Sequence, residues 1–218
     1  MNIVDLSLTI DNDCMTCGTP WHQKVQIRQM GKLDEVGRNT HSILMGSHSG
    51  THMDAPLHFY NGTAGIDKAD LAQICGEITI VDFSHMGAGS IVRYEDIQKL
   101  RVTARMLFRF DWWKKWKTPA YYQDFPYFSE EAVCSLIEQG MLVMALDTPS
   151  PDTGNAITDK NDSPNHKKLL ESGVTIIEYL TATDRLFMDK KYSLFALPLK
   201  IKDCDGSPAR VIAVESED

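Results

Sequence analysis

The amino-acid sequence predicts a strand-rich α/β domain with a mixed β-sheet flanked by helices. Short β-rich runs such as Ile78-Thr79-Ile80-Val81-Asp82-Phe83 recur along the chain between turn residues. Between them lie a few segments with helix-capping signals. No internal repeat or low-complexity linker interrupts residues 1–218, so a single domain is expected.

Taken in order, residues 3–9 read as a strand, and residues 23–30 alternate through Val25 and Ile27 as a second. Residues 40–45 form a third strand that leads into a histidine-rich segment. Residues 78–83 suit a buried strand. Tyr94 to Leu100 reads as a short helix, followed by a strand from Met106 to Phe110. Ser129 is a good N-cap, and Glu130 and Glu131 suit the positive end of a helix dipole. Ala132, Val133, Leu136 and Ile137 give that helix one apolar face, and Gly140 closes it. Met141 to Leu146 is then a buried strand. Ser163-Pro164 opens a further helix with proline at its first position, Gly173 ends it, and Val174 to Ile177 is a strand. Residues 194–201 and 209–214 finish the chain as two strands joined by Asp205-Gly206, a favoured hairpin turn.

Composition narrows the function. At 43% hydrophobic and 24% charged residues, the chain is an ordinary globular protein with an ample core. A net charge of -8, with Lys114-Lys115-Trp116-Lys117 as the one short basic run, argues against a nucleic-acid partner. No stretch approaches the apolar length that spans a bilayer, and the start MNIVDLSLTI lacks a basic region, so the cytoplasm is expected. The five cysteines do not form a disulfide framework, and Cys14-x-x-Cys17 reads as two loop thiols with no shared task. No glycine-rich phosphate cradle is present, so no nucleotide cofactor is expected.

The chemistry-bearing stretch is Ser47 to His58, which holds three of the seven histidines and an aspartate within eleven residues. Imidazole nitrogens plus a carboxylate oxygen form the ligand set of a divalent ion such as zinc or manganese. A lone histidine is usually a packed core residue; three beside an aspartate, with backbone-bending residues between them, are better explained by a metal. Gly50 and Pro56 exclude a continuous helix. A strand ending in a turn would bring His48, His52 and Asp54 to one point and leave His58 at its edge as a proton carrier. A well-held site needs further ligands. His166, in the first turn of a helix, and Glu178, at the end of an apolar strand, are the candidates; a carboxylate among such neighbours is costly to bury unpaired. Asp147 could orient a ligand histidine but more simply caps a turn. Residues 112–128 hold eight of the nineteen aromatic residues, and Trp112 or Trp116 is expected to contact substrate or a partner.

The pattern His48-x-Gly-Thr-His52-x-Asp54-x-Pro-x-His58 resembles the signature of the metal-dependent cyclase family, which includes bacterial kynurenine formamidase and isatin hydrolase. Asp5-Leu6-Ser7, the Leu146 to Ser150 stretch, His166, Glu178, Pro198-Leu199-Lys200 and the Asp205 to Arg210 stretch extend the resemblance over nearly the whole chain. The resemblance implies a barrel-like mixed sheet of the swivelling β/β/α kind and assembly as a homodimer or homotetramer. It implies that His48, His52 and Asp54 bind one metal, that Asp54 bridges to a second held by His166 and Glu178, and that His58 is the general acid/base. The metal would be Zn2+, as one or two ions, or Mn2+. The implied reaction on a small-molecule substrate is hydrolysis of a C–N amide bond by metal-activated hydroxide, first of an aryl formamide such as N-formylkynurenine. A cyclic amide, lactam or lactone is the alternative substrate, and a non-catalytic metal-binding protein the alternative function. One segment departs from the formamidases: where they carry a Trp-Pro-Gly-Asp type sequence, Pro20-Trp21 is followed here by His22-Gln23, with His22 expected at the surface.

Overall fold

The computed structural model describes residues 1–154 and 162–216. In chain order the strands are β1 (Ile3–Asp5), β2 (Gln26–Gly31), β3 (Thr40–Leu44), β4 (His52–Asp54), β5 (Cys75–Asp82), β6 (Ile91–Val92), β7 (Arg105–Arg109), β8 (Tyr127–Phe128), β9 (Val143–Leu146), β10 (Thr175–Glu178), β11 (Tyr192–Pro198) and β12 (Gly206–Glu215). The helices are α1 (Leu33–Val36), α2 (Leu71–Ile74), α3 (Tyr94–Ile97), α4 (Glu130–Glu138) and α5 (Pro164–Glu171).

The main sheet runs β1-β12-β11-β5-β7-β9-β10-β4, and β4 pairs a second time with β12. That last pairing closes seven strands into a barrel, with β1 attached outside the ring. Strands β5, β7, β9 and β10 are mutually parallel, while β4, β11 and β12 join antiparallel. The sheet is therefore mixed, and the expected barrel-like α/β fold is observed.

Side-chain alternation divides the core in two. Met53, Ile78, Leu107, Val143, Ala145, Ile177, Leu194, Ala196, Val211 and Ala213 fill the barrel interior. Their neighbours along the strands, Met106, Phe108, Met144, Leu146 and Ile176, face outward and are covered by Ala132, Val133 and Leu136 of α4 and Leu169 and Leu170 of α5. Because Met53 points inward, its neighbours His52 and Asp54 point outward; because Ile177 points inward, its neighbour Glu178 points outward as well. One parity rule thus sends these three polar residues to the same outer face, beside α5.

The differences from the expected elements have local causes. Strand β1 ends at Asp5 because the Ser7 hydroxyl takes the place of the backbone ladder, accepting from the Val211 N–H at 2.8 Å. Strands β2 and β3 pair only with each other in a two-stranded ribbon. The final hairpin is not closed by Asp205-Gly206. Residues 199–205 make the connection, and Gly206 already belongs to β12, opposite Asp54 of β4. No helix among the described residues is long and apolar enough to cross a membrane.

Candidate metal centre

The histidine-rich segment is a turn that precedes a strand, rather than a strand that ends in a turn. Gly50 lies at φ +60°, in the left-handed region that favours glycine, and lets the chain double back between His48 and His52. Thr51 then pins the turn: its hydroxyl donates to the Tyr179 carbonyl at 2.6 Å and accepts from the Leu8 N–H at 2.8 Å. Strand β4 follows as a stave between β10 and β12, with His52 opposite Glu178 and Pro208, and Asp54 opposite Ile176 and Gly206. Pro56–His58 forms a single 3-10 turn that carries His58 to the rim.

The structure brings all six expected residues together. His48 Nδ1 lies 2.9 Å from Asp54 Oδ1, and His52 Nε2 lies 3.5 Å from the same oxygen. His166 Nε2 lies 3.5 Å from the other oxygen, Asp54 Oδ2. Glu178 reaches both sides, with Oε2 3.3 Å from His52 Nε2 and Oε1 3.1 Å from His166 Nε2. His52, Asp54 and Glu178 can offer atoms that all lie within 4.8 Å of one another, and so can His48, Asp54 and His58.

The far side of each imidazole fixes what the near side offers. His52 Nδ1 is 2.8 Å from the Gly50 carbonyl, which can only accept, so the proton sits on Nδ1 and the Nε2 lone pair faces the carboxylates. His166 Nδ1 is 2.7 Å from Asp152 Oδ2, and His48 Nε2 is 2.8 Å from Asp205 Oδ2. Each of these histidines therefore aims one bare nitrogen at the same point when neutral. Both Asp54 oxygens and Glu178 Oε1 are buried without a hydrogen bond. Orphaned carboxylate oxygens and converging imidazole lone pairs fit a divalent cation, which satisfies both.

Without a cation, charge is balanced by protons. Burial opposes a charge on His48, but Asp54 and then Asp205 more than offset it and raise its pKa to about 10. Burial also opposes charge on His166, and Glu178 and Asp152 overcome it in the same way, leaving its pKa well above the ordinary value. Asp54 is pulled far below the usual carboxylate range: burial works against its charge, and His48, His58 and His52 outweigh burial.

Two residues that hold the site were not expected from sequence. Asp152 accepts from the backbone N–H of Asn165 at 2.8 Å and of His166 at 3.0 Å, besides holding the His166 ring. It is the true cap of α5. Ser163 precedes the helix as expected, but it lies at φ +61° and makes no side-chain cap bond. Asp205 bridges His48 and His58, whose Nδ1 is 3.2 Å from Asp205 Oδ2. Gly206 beside it is needed for space: a Cβ there would sit 2.9 Å from His48 Cε1 and 2.8 Å from the Met53 carbonyl oxygen. The available signal was the Asp-Gly pair, which reads equally well as a turn.

Asp147 caps backbone, as the simpler reading held. It accepts from the N–H groups of Phe110 and Asp111 and from the Thr183 hydroxyl, and touches no histidine. Burial pushes its pKa up to about 7, against those three donors.

The cluster forms the floor of a cavity of about 450 Å³ whose walls include Trp21, Phe59, Tyr122, Phe125 and Pro149. Of the 112–128 segment, Tyr122 and Phe125 reach the cavity. Trp112 is instead a core residue, 4% exposed, with its indole N–H on the Tyr121 carbonyl, and Trp116 packs edge-on against Tyr121 and Tyr179. Neither tryptophan lines the cavity; their rings pack a long connection against the domain. His22, expected at the surface, lines the cavity with Cys17.

A closed mixed barrel with a histidine–carboxylate cluster beside an aromatic cavity defines a metal-binding α/β protein of hydrolase type. A family model described as Putative cyclase matches residues 4–153, and the chain belongs to that cyclase family. Among curated proteins it is similar to the kynurenine formamidase of Bacillus mycoides (strain KBAB4), 28% identical over 211 residues that cover 96% of this chain and 95% of the relative. The Bacillus anthracis kynurenine formamidase is 27% identical over 214 residues, with the same coverage. Among solved structures, isatin hydrolase A from Labrenzia aggregata bound to benzyl benzoate superposes with a TM-score of 0.85 at 26% identity, covering 99% of this chain and 94% of that one. An isatin hydrolase bound to the product analogue thioisatinate gives a TM-score of 0.87 at 22% identity over 98% and 92% of the two chains, a likeness of fold.

Proposed function

We propose that this protein is a metal-dependent hydrolase of C–N amide bonds, acting first on aryl formamides such as N-formylkynurenine. One observation carries the reading: three imidazoles, each fixed from behind by an oxygen acceptor, converge on the unpaired oxygens of Asp54 and Glu178 at the floor of an aromatic-walled cavity. The kynurenine formamidase relatives support it.

In this reading His48, His52, Asp54, His166 and Glu178 hold one or two divalent ions, zinc or manganese. Such an ion would supply Lewis acidity, lowering the pKa of water toward about 7 and stabilising negative charge on a carbonyl oxygen. Asp54 would serve both sides of the cluster, since one of its oxygens lies toward His48 and His52 and the other toward His166. His58 does the proton work. Asp205 holds its Nδ1, so Nε2 is left to take a proton from the attacking water and pass it to the departing amine. Water and amide become carboxylate and amine, with no protein nucleophile. The aromatic walls accept a flat aryl group, and the cavity volume lies in the range of small-molecule sites. A cytoplasmic homodimer or homotetramer belongs to the same reading.

A specific observation favours a second substrate class. Trp21 and His22 line the cavity, and isatin hydrolase A shares the fold, so a cyclic amide is the alternative. The test is hydrolysis of N-formylkynurenine and of isatin by protein loaded separately with zinc and with manganese, beside a chelated control. Metal-dependent turnover of the first establishes the formamidase, and of the second alone the cyclic-amide hydrolase. No turnover of either by metal-loaded protein refutes the reading.

A further inference from the structure

The segment Cys14 to His22 contributes to the cavity but has no part in the metal cluster. Gly18, at φ +81°, turns the chain, and the His22 N–H closes a second turn on the Thr19 carbonyl at 3.1 Å. These turns fold His22 back onto Cys17, whose Sγ lies 2.6 Å from His22 Nδ1. The His22 ring is half-buried and lies nearly parallel to His48, at 25° and 6.0 Å between centroids. A thiol is a donor but a poor acceptor, whereas an imidazole lone pair is a good acceptor. With the Cys17 S–H as donor to Nδ1, the ring proton of neutral His22 resides on Nε2.

That nitrogen has no partner among the described residues. A histidine kept for packing would have both nitrogens satisfied or would be replaceable by an apolar ring. Here one nitrogen is fixed and the other is left to the cavity. A few placed polar groups among apolar walls are what orient a small ligand.

We propose that His22, its ring fixed by Cys17, is a substrate-recognition residue that donates a hydrogen bond from Nε2 to a substrate oxygen outside the scissile amide. The inference rests on the amide-hydrolase reading and deepens it. A substrate that uses this donor carries an oxygen acceptor besides its scissile carbonyl. Cys17 is the positioning residue, acting through His22.

The test compares N-(2-acetylphenyl)formamide with formanilide, which lacks the second acceptor. Wild type is expected to favour the acetyl compound in kcat/KM. His22→Phe, with His22→Gln as a second variant, should raise KM for it about tenfold, the scale of one lost hydrogen bond. kcat should stay within about twofold, and bound metal should be unchanged. The change in KM for formanilide should be several-fold smaller than for the acetyl compound. Cys17→Ala should shift KM in the same direction, and Cys17→Ser, which keeps a donor, should restore it. Equal KM values in wild type and His22→Phe overturn the proposal, as does a fall in kcat alone or a loss of metal. If metal-loaded wild type hydrolyses neither formamide nor isatin, the underlying reading fails, before any variant is measured.

Discussion

Replacing Asp152 by alanine tests how the site is held. One carboxylate accepts three hydrogen bonds: from the Asn165 and His166 N–H groups in the first turn of α5, and from the His166 ring. Losing a helix cap costs about 1 kcal/mol. The two freed N–H groups belong to residues that are nearly fully buried, and a buried orphan donor costs about 1–3 kcal/mol. One donor is already counted as the cap, and about 1–3 kcal/mol for the other brings the loss to about 2–4 kcal/mol. For a chain of this length about 1 kcal/mol moves the melting temperature by about 2–4 °C, so Asp152→Ala should melt about 5–15 °C lower. The measurement is thermal unfolding of chelated protein, which isolates the cap from any bound ion. The freed His166 ring should separately weaken zinc binding by about 10- to 100-fold, read by competition with a chromophoric chelator. Asp152→Asn keeps one acceptor and should fall between. An unchanged melting point together with unchanged metal affinity would refute the role given to this residue.

Three further predictions concern the cluster itself. His58→Ala should keep its metal, measured by elemental analysis, and lose about 10²- to 10⁴-fold in kcat; loss of metal instead would make His58 a ligand. Gly206→Ala should displace His48 or strain β12, lowering stability by about 1–3 kcal/mol in urea unfolding and weakening metal binding; unchanged values would mean that the close approach to His48 has no consequence. In chelated protein His48 has a pKa raised from 6.5 to about 10, so its contribution to stability is full below about pH 6.5 and is lost as pH rises through about 10. Urea unfolding from pH 6.5 to 10 should show that decline, and His48→Asn should reduce it to the part that His166, whose pKa is also raised, contributes.

The elements legible in the sequence were those with enough residues to show a period or a cap. Helix α4 begins after Ser129, whose hydroxyl accepts from the Ala132 N–H, and β5, β7 and β9 fall where the β-rich runs lie. Barrel closure was not legible from periodicity, because the closing strand β4 has three residues and all are buried; that expectation came from the resemblance. The cluster residues were legible because histidines and carboxylates crowd one segment and recur at strand and helix ends. Asp152 and Asp205 were not, because their roles are hydrogen bonds to residues distant in sequence, as with Asp205 and His48, 157 positions apart. Trp112 misled because aromatic content alone does not distinguish a cavity wall from a core.

The strand that carries His52 and Asp54 is also the one whose two flanking pairings complete the ring. Its partners lie more than a hundred residues further along the chain, so closure waits for both ends of the polypeptide and belongs among the slow, high-contact-order steps of folding. Once closed, the seam brings Asp54 and Glu178 diagonally across neighbouring strands, with both Asp54 oxygens and Glu178 Oε1 lacking a hydrogen bond. A divalent ion held by Asp54 and Glu178 would join two staves of the barrel and so would act as a clasp.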